Sequence, residues 1–261
     1  MFLSNFVTYS NLIGSIYFQL NNWWCTLFSK KPIQFLGTGG AFEPEFGNSS
    51  ALIDIDGQTI LLDCGFTVYP KLKLYGLTDK IDYVLISHLH NDHVGSLSTF
   101  IYHYNIAYDF GRLKILYASD ALRNDIEGFL RYSIPALDHY VEFVPLSLFP
   151  QIKALDTFGL HVPGFSTFGF EMVIENQRYI YSGDLGDANY IATNCSPTAT
   201  DIIFHDTCFY PQVKAHAYYK DLQNTLKGCR VYGYHLDPTM KPADCSLNLV
   251  AESKEWLFKK E

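Results

Sequence analysis

Six residues, His88-Leu89-His90-Asn91-Asp92-His93, follow directly on the apolar run Tyr83-Val84-Leu85-Ile86, and no other stretch constrains the fold as tightly. Four ligand-type side chains in six positions can converge on a cation only if a rigid support launches them together. A short apolar run reads as a buried strand, and the loop at a strand end is where such sites gather. Imidazole and carboxylate donors suit zinc, manganese or iron, whereas calcium takes oxygen ligands almost throughout. One short motif cannot surround two metals that share an oxygen, so a metal pair demands further ligands near other strand ends. Three candidates follow: His161 in His161-Val162-Pro163-Gly164, Asp184 in Tyr181-Ser182-Gly183-Asp184, and His235 after Val231-Tyr232-Gly233-Tyr234. Taken singly, each reads equally well as a satisfied core or turn residue.

The sequence around these motifs alternates strands with helices. Strands are expected at Ile33 to Leu36, Ala51 to Ile55, Thr59 to Leu62, Tyr83 to Ile86, Leu113 to Tyr117, Val141 to Val144, Phe168 to Ile174, Tyr179 to Tyr181, Ile202 to Phe204 and Val231 to Tyr234. Asp56-Gly57 between two apolar runs signals a tight hairpin. Helical spacing marks Val68 to Tyr75, Leu97 to Tyr104, Ala121 to Tyr132, Gln212 to Leu226 and Ala243 to Phe258. Helices over the faces of sheets make a mixed α/β sandwich. With 261 residues and 48% apolar content there is enough material for one sizeable core, expected across residues 32–261. No internal repeat or low-complexity linker is evident.

Residues 1–31 differ. Phe6, Tyr9, Ile13, Ile16, Leu20, Trp23 and Leu27 form an apolar stripe at helical spacing, and no charge precedes Lys30. The opposite face is polar but uncharged, which suits packing on the domain or on a second subunit and disfavours a membrane span or anchor. A net charge of −8 opposes tRNA or DNA as a partner, while a metal pair can still attract a small anion. Six cysteines without paired spacing, and no cleavable signal pattern at the N-terminus, lead to the expectation of a cytoplasmic protein.

With HxHxDH followed by a later His, Asp and His, the sequence resembles the metallo-β-lactamase-fold hydrolases. Phe35-Leu36-Gly37-Thr38-Gly39-Gly40-Ala41, Leu61-Leu62-Asp63-Cys64-Gly65 and Tyr181-Ser182-Gly183-Asp184 are similar to segments of the branch that holds RNase Z and cyclic-nucleotide phosphodiesterases, including the anti-Pycsar group. The resemblance implies a four-layer αββα sandwich, to which the N-terminal helix is an addition. It also implies two divalent ions, zinc foremost with manganese or iron as alternatives: one on His88, His90 and His161, the other on Asp92, His93 and His235, with Asp184 between them. Cys often stands at that last position in two-zinc β-lactamases, so lactam hydrolysis is disfavoured.

Two metals in such a site make hydroxide available near neutrality and neutralise charge on a phosphoryl group. Asp92 and His205 are the expected catalytic groups, His205 as the proton donor to the leaving oxygen, because Phe204-His205-Asp206-Thr207 resembles an RNase Z motif in which an acidic residue, alanine and threonine follow the His. His103, His139 and His216 are expected to be structural or solvent-facing. Only 23 positions separate His161 from Asp184. That leaves room for a hairpin turning at Asn176-Gln177 but not for the tRNA-gripping arm of RNase Z. The expected substrate is therefore a small phosphodiester, foremost a 3′,5′-cyclic nucleotide. tRNA 3′ processing and lactone or thioester hydrolysis are the alternatives, and the anti-Pycsar resemblance implies a homodimer.

Overall fold

The computed structural model describes residues 31–259. The chain builds two six-stranded sheets in succession. The first contains β1 (Ile33–Gly37), β2 (Ser50–Ile55), β3 (Gln58–Leu62), β4 (Tyr83–Leu85), β5 (Leu113–Tyr117) and β6 (Val141–Pro145), with α1 (Val68–Tyr75), α2 (Asn91–Val94), α3 (Leu97–Ala107) and α4 (Asp120–Arg131) in the connections. The second contains β7 (Ile152–Asp156), β8 (Phe168–Ile174), β9 (Gln177–Tyr181), β10 (Ile202–Asp206), β11 (Arg230–Tyr234) and β12 (Asn248–Leu249), with α5 (Tyr190–Cys195) and α6 (Tyr219–Thr225). In both sheets sequence order is spatial order. Each begins with two antiparallel pairings and continues with three parallel ones. The two halves thus repeat one topology although no repeat is legible in the residues.

Alternation along the strands makes this four layers. On β10, Ile202 and Phe204 join the large cluster that contains residues of both sheets, whereas Ile203 joins a second cluster with Ile191 of α5 and Leu222 of α6. On the other side, Phe100 and Ile101 of α3 and Leu122, Ile126 and Leu130 of α4 are fully buried on the first sheet. Helices therefore cover both outer faces, which is the expected αββα sandwich. Asp56 and Gly57 both take positive φ, 53° and 78°, as the twist of a two-residue hairpin demands.

Three expectations are corrected. No helix spans Ala243 to Phe258. That segment forms β12, a short 3-10 turn at Val250–Glu252 and a strap whose Trp256 carbonyl accepts the Phe35 N–H at 2.6 Å. Trp256 is fully buried against Phe204, Tyr179 and Tyr232, so the gain from seating one large ring and pairing with β1 overrides local helical spacing. The helix expected from Gln212 begins only at Tyr219, because a bridge between Cys208 and Tyr218 closes residues 208–218 into a loop. The β8–β9 hairpin turns one residue earlier than expected, at Glu175 and Asn176, which take φ of 52° and 63°. The expected N-terminal helix, residues 1–30 of it, lies outside the described residues. Among the described residues no helix is long and apolar enough to cross a membrane.

Candidate metal centre

Strand ends of both sheets deliver the site. β4 stops at Leu85, and the chain runs through His88 into α2, whose N-cap is His90 and whose first turn carries Asp92 and His93. Gly65 lets the turn after β3 press against α2: a Cβ there would collide with the Asp92 carbonyl, and the neighbouring Cys64 N–H donates to the His93 carbonyl at 2.7 Å. In the second half, Gly183 turns the chain after β9 with a φ of 62° and buries Asp184. His235 follows β11 with a φ of 66°, a costly conformation for a residue with a Cβ. It is held there by the Thr38 carbonyl, which accepts both the His235 and Leu236 N–H groups at 2.8 and 3.3 Å. The glycine turn at Gly37 to Gly40 is therefore the shelf beneath His235, whose ring lies 3.2 Å from where a Cβ on Gly40 would stand.

The seven candidates come together as two overlapping sets: His88, His90, His161 and Asp184, and Asp92, His93, Asp184 and His235. Asp184 belongs to both. Its Oδ2 lies 3.7 Å from Nε2 of His88 and of His161, and 3.4 Å from Nε2 of His93 and of His235. Those distances exceed good charge-assisted hydrogen bonds, and Oδ1 is buried without a partner, which is costly for a carboxylate unless a cation compensates it. Ring nitrogens also face one another, Nε2 of His88 and of His161 standing 3.1 and 3.0 Å from Nδ1 of His90. Hydrogen bonds cannot satisfy three converging imidazole nitrogens, whereas lone pairs aimed at a shared ion can. The donor set therefore fits divalent cations.

The opposite ring nitrogens are fixed by neighbours, as ligand histidines require. His93 Nδ1–H donates to Asp63 Oδ2 at 2.8 Å, and Ser87 Oγ donates to the same oxygen at 2.7 Å while accepting from His88 Nδ1–H. His161 Nδ1–H donates to the Ala215 carbonyl at 2.8 Å. Burial opposes charge on every one of these groups. Even so, the imidazoles of His235, His93 and His88 hold the Asp184 carboxyl far below its ordinary range, and hydrogen bonds with His235 and His93 hold Asp92 low. His88 goes the other way: burial first, and then His93, push it well below an ordinary imidazole. Asp184 and Asp63 raise His93 against its burial, and Asp184 and Asp92 raise His235. Buried ionised carboxylates that draw protons onto neighbouring rings form a sink for positive charge, and a cation satisfies the same field.

His205 does not join them. Alternation on β10 sends it to the helix-covered face with Ile203, where it is fully buried, donates from Nδ1 to the Asp206 carbonyl at 2.7 Å and leaves Nε2 without a partner. Burial lowers its pKa. Asp206 takes the inner face instead. Its Oδ2 accepts from the Leu185 N–H at 3.0 Å and from His216 Nδ1–H at 2.7 Å. The His216 ring lies between those of His161 and His235, at 5.1 and 4.9 Å. Burial works against its charge, but Asp206 prevails and raises the imidazole to about 9. His103, against Tyr69, and the exposed His139 lie apart from the centre, as expected.

Sequence reasoning thus passed over Asp63, Ser87, Asp206 and His216. Period-two alternation was the available signal for one of them: if Ile202 and Phe204 face the sheet interior, Asp206 does too and His205 does not. His216 gave none, because helical spacing disguised the loop that carries it.

Residues 32–250 match the family model described as "Anti-Pycsar protein Apyc1". The chain belongs to this family. Among the anti-Pycsar proteins, one from Paenibacillus harenae is 32% identical over 189 residues, which is 67% of this chain and 76% of that relative. One from Bacillus phage BSP38 is 34% identical over 137 residues, 48% of this chain and 50% of that relative. Of solved structures, the short form of human tRNase Z superposes with a TM-score of 0.61 at 20% identity, covering 87% of this chain and 97% of that one. At that identity the likeness concerns the fold, which is the metallo-β-lactamase fold. This anti-Pycsar family member is a metal-dependent hydrolase.

Proposed function

We propose that the protein is a phosphodiesterase that opens 3′,5′-cyclic nucleotides with two divalent cations. The carrying observation is the pair of four-donor sets that share Asp184, with His216 stacked against His235 and bonded to Asp206. The family name, Anti-Pycsar protein, supports the same direction. His88, His90 and His161 hold one cation and Asp92, His93 and His235 the other. When bound, the pair supplies the charge that makes a water nucleophilic and neutralises the phosphoryl oxygens; zinc best suits the donors, and manganese or iron also fit.

The chain's own groups do the rest. Asp92 and Asp184 are ionised before a cation arrives, so binding costs no deprotonation there. In the reaction a water oxygen bonds to phosphorus, one ester P–O bond of the ring breaks, and the leaving oxygen takes a proton. We assign that proton to His216, not His205: Asp206 keeps the His216 ring oriented through Nδ1 and cationic, so Nε2 has a proton to give. Asp206 is the positioning residue of the pair.

The net charge of −8 and the tight β8–β9 hairpin between His161 and Asp184 weigh against a tRNA substrate. The test is a panel of cAMP, cGMP, cCMP and cUMP beside a tRNA precursor and an acyl-homoserine lactone. Cyclic nucleotides are expected to open to nucleoside monophosphates. Exclusive cleavage of the lactone or the tRNA would overturn the proposal. On the family resemblance we take the working unit to be a homodimer, and a sedimentation mass of 29.8 kDa, that of one chain, would contradict it.

A further inference from the structure

A cavity of about 470 Å³ opens beside the metal centre, within the size range of small-molecule sites. One side is α4, which presents Asn124, Asp125, Gly128 and Phe129; the other is Leu89, between the ligands His88 and His90, and Phe165. Phe165 joins the cavity to the site. Its ring stacks on His90 with centroids 4.6 Å apart and planes 19° from parallel, and meets His88 edge-on. An ester bound at these histidines has this cavity as its neighbour.

Gly128 is the informative residue. It sits inside a twelve-residue helix that is otherwise well built, with Ser119 accepting the Leu122 N–H at the cap and Glu127 paired to Arg123 and Arg131. An interior glycine weakens a helix by about 1 kcal/mol relative to alanine. No neighbour demands it here: a Cβ on Gly128 would meet nothing within 4 Å. Since the helix gains nothing from Gly128 and its face lines the cavity, the absent side chain leaves room for a flat ligand.

We propose that this cavity is the seat of the nucleobase. The inference rests on the cyclic-nucleotide function above and adds base selection to it. The base lies against the bare helix at Gly128, with Phe129 and Phe165 as apolar walls, and its polar edge meets Asn124 and Asp125. A carboxylate only accepts hydrogen bonds, so Asp125 selects an edge rich in N–H donors. Guanine offers a ring N–H and an amino group side by side to match two carboxylate oxygens, whereas uracil flanks its single N–H with two carbonyls that a carboxylate repels. Asn124 both donates and accepts, and serves any base. The expected order therefore puts cGMP first and cUMP last.

The experiment compares kcat/KM for cGMP, cUMP and the base-free ester methyl p-nitrophenyl phosphate, alongside calorimetric binding of GMP. The wild-type protein should prefer cGMP over cUMP by roughly tenfold or more, as expected when a hydrogen-bonding edge is matched or mismatched. Gly128→Leu, which fills the cavity from an exposed helix position, should lower kcat/KM for both cyclic nucleotides through KM, weaken GMP binding and leave the base-free ester unaffected. Gly128→Ala should bind GMP nearly as the wild type does. Asp125→Asn should narrow the preference for cGMP over cUMP. If cyclic nucleotides are opened and neither Gly128→Leu nor Asp125→Asn alters them, the base seat is wrong and the function stands. If no cyclic nucleotide is opened, the function is wrong, and GMP binding that is lost in Gly128→Leu would still support the seat while unaltered binding would reject it.

Discussion

The two halves of the molecule fold alike and supply their ligands differently. Both run six strands in order with the same switch from antiparallel to parallel pairing. The first half offers His88, His90, Asp92 and His93 from one loop and one short helix after β4. The second offers His161, Asp184 and His235 from the regions after β7, β9 and β11, with Asp206 at the end of β10. Four donors on one segment are nearly placed by local geometry alone. Donors spread over 75 positions are placed only when the second sheet has formed and packed on the first. The first half is a preassembled claw; the second closes it, and Asp184 is where they meet.

The largest effect expected from this comparison concerns the two faces of β10. His216→Ala should cost roughly 10²- to 10⁴-fold in kcat, the usual worth of a general acid, and much less for an ester whose leaving group needs no proton. A loss of equal size for p-nitrophenyl and alkyl leaving groups would place His216 outside proton transfer. Next is the joint between the halves. Trp256→Ala should destabilise the fold by about 3–5 kcal/mol, because the ring is fully buried where the C-terminal strap meets β1. Denaturant unfolding reads this, and a shift below about 1 kcal/mol would show that the strap is dispensable.

A smaller effect falls on the first half. Asp63 touches no substrate, yet it accepts from His93 and from the Ser87 hydroxyl, so Asp63→Asn should weaken metal affinity about 10- to 100-fold by loosening His93. Competition with a chelator of known affinity measures it, and unchanged affinity would mean that α2 alone fixes His93. The smallest effect should come from His205→Gln. Turned to the helix side of β10, His205 should matter to stability by roughly 1–3 kcal/mol at most, with kcat little changed. A hundredfold loss of kcat in a folded His205→Gln would restore it as the acid and break the assignment of the two faces.

The same comparison explains what the residues reveal before folding. The claw after β4 is legible because its spacing is local, and most strands are legible because buried runs and the Asp56-Gly57 turn are local too. Asp184 and His235 become recognisable only through family resemblance, since a single acid or imidazole after an apolar run has many structural uses. His216 is hidden by a stretch with helical periodicity that tertiary contacts hold open, and residues 243–258 mislead for the same reason: Trp256 has a better place in the core than on a helix. The topological repeat is invisible because strand order and direction are set by pairing across the chain, which many different apolar sequences satisfy.

The central claim is that residues from both halves hold two cations around Asp184. Metal content per chain by inductively coupled plasma mass spectrometry, measured on the wild type and on Asp184→Ala with activity recorded in parallel, tests it most directly. The account predicts about two transition-metal ions in the wild type, the loss of at least one in Asp184→Ala, and the loss of activity with it. A single ion in the wild type, or full activity and unchanged metal content in the variant, would contradict it.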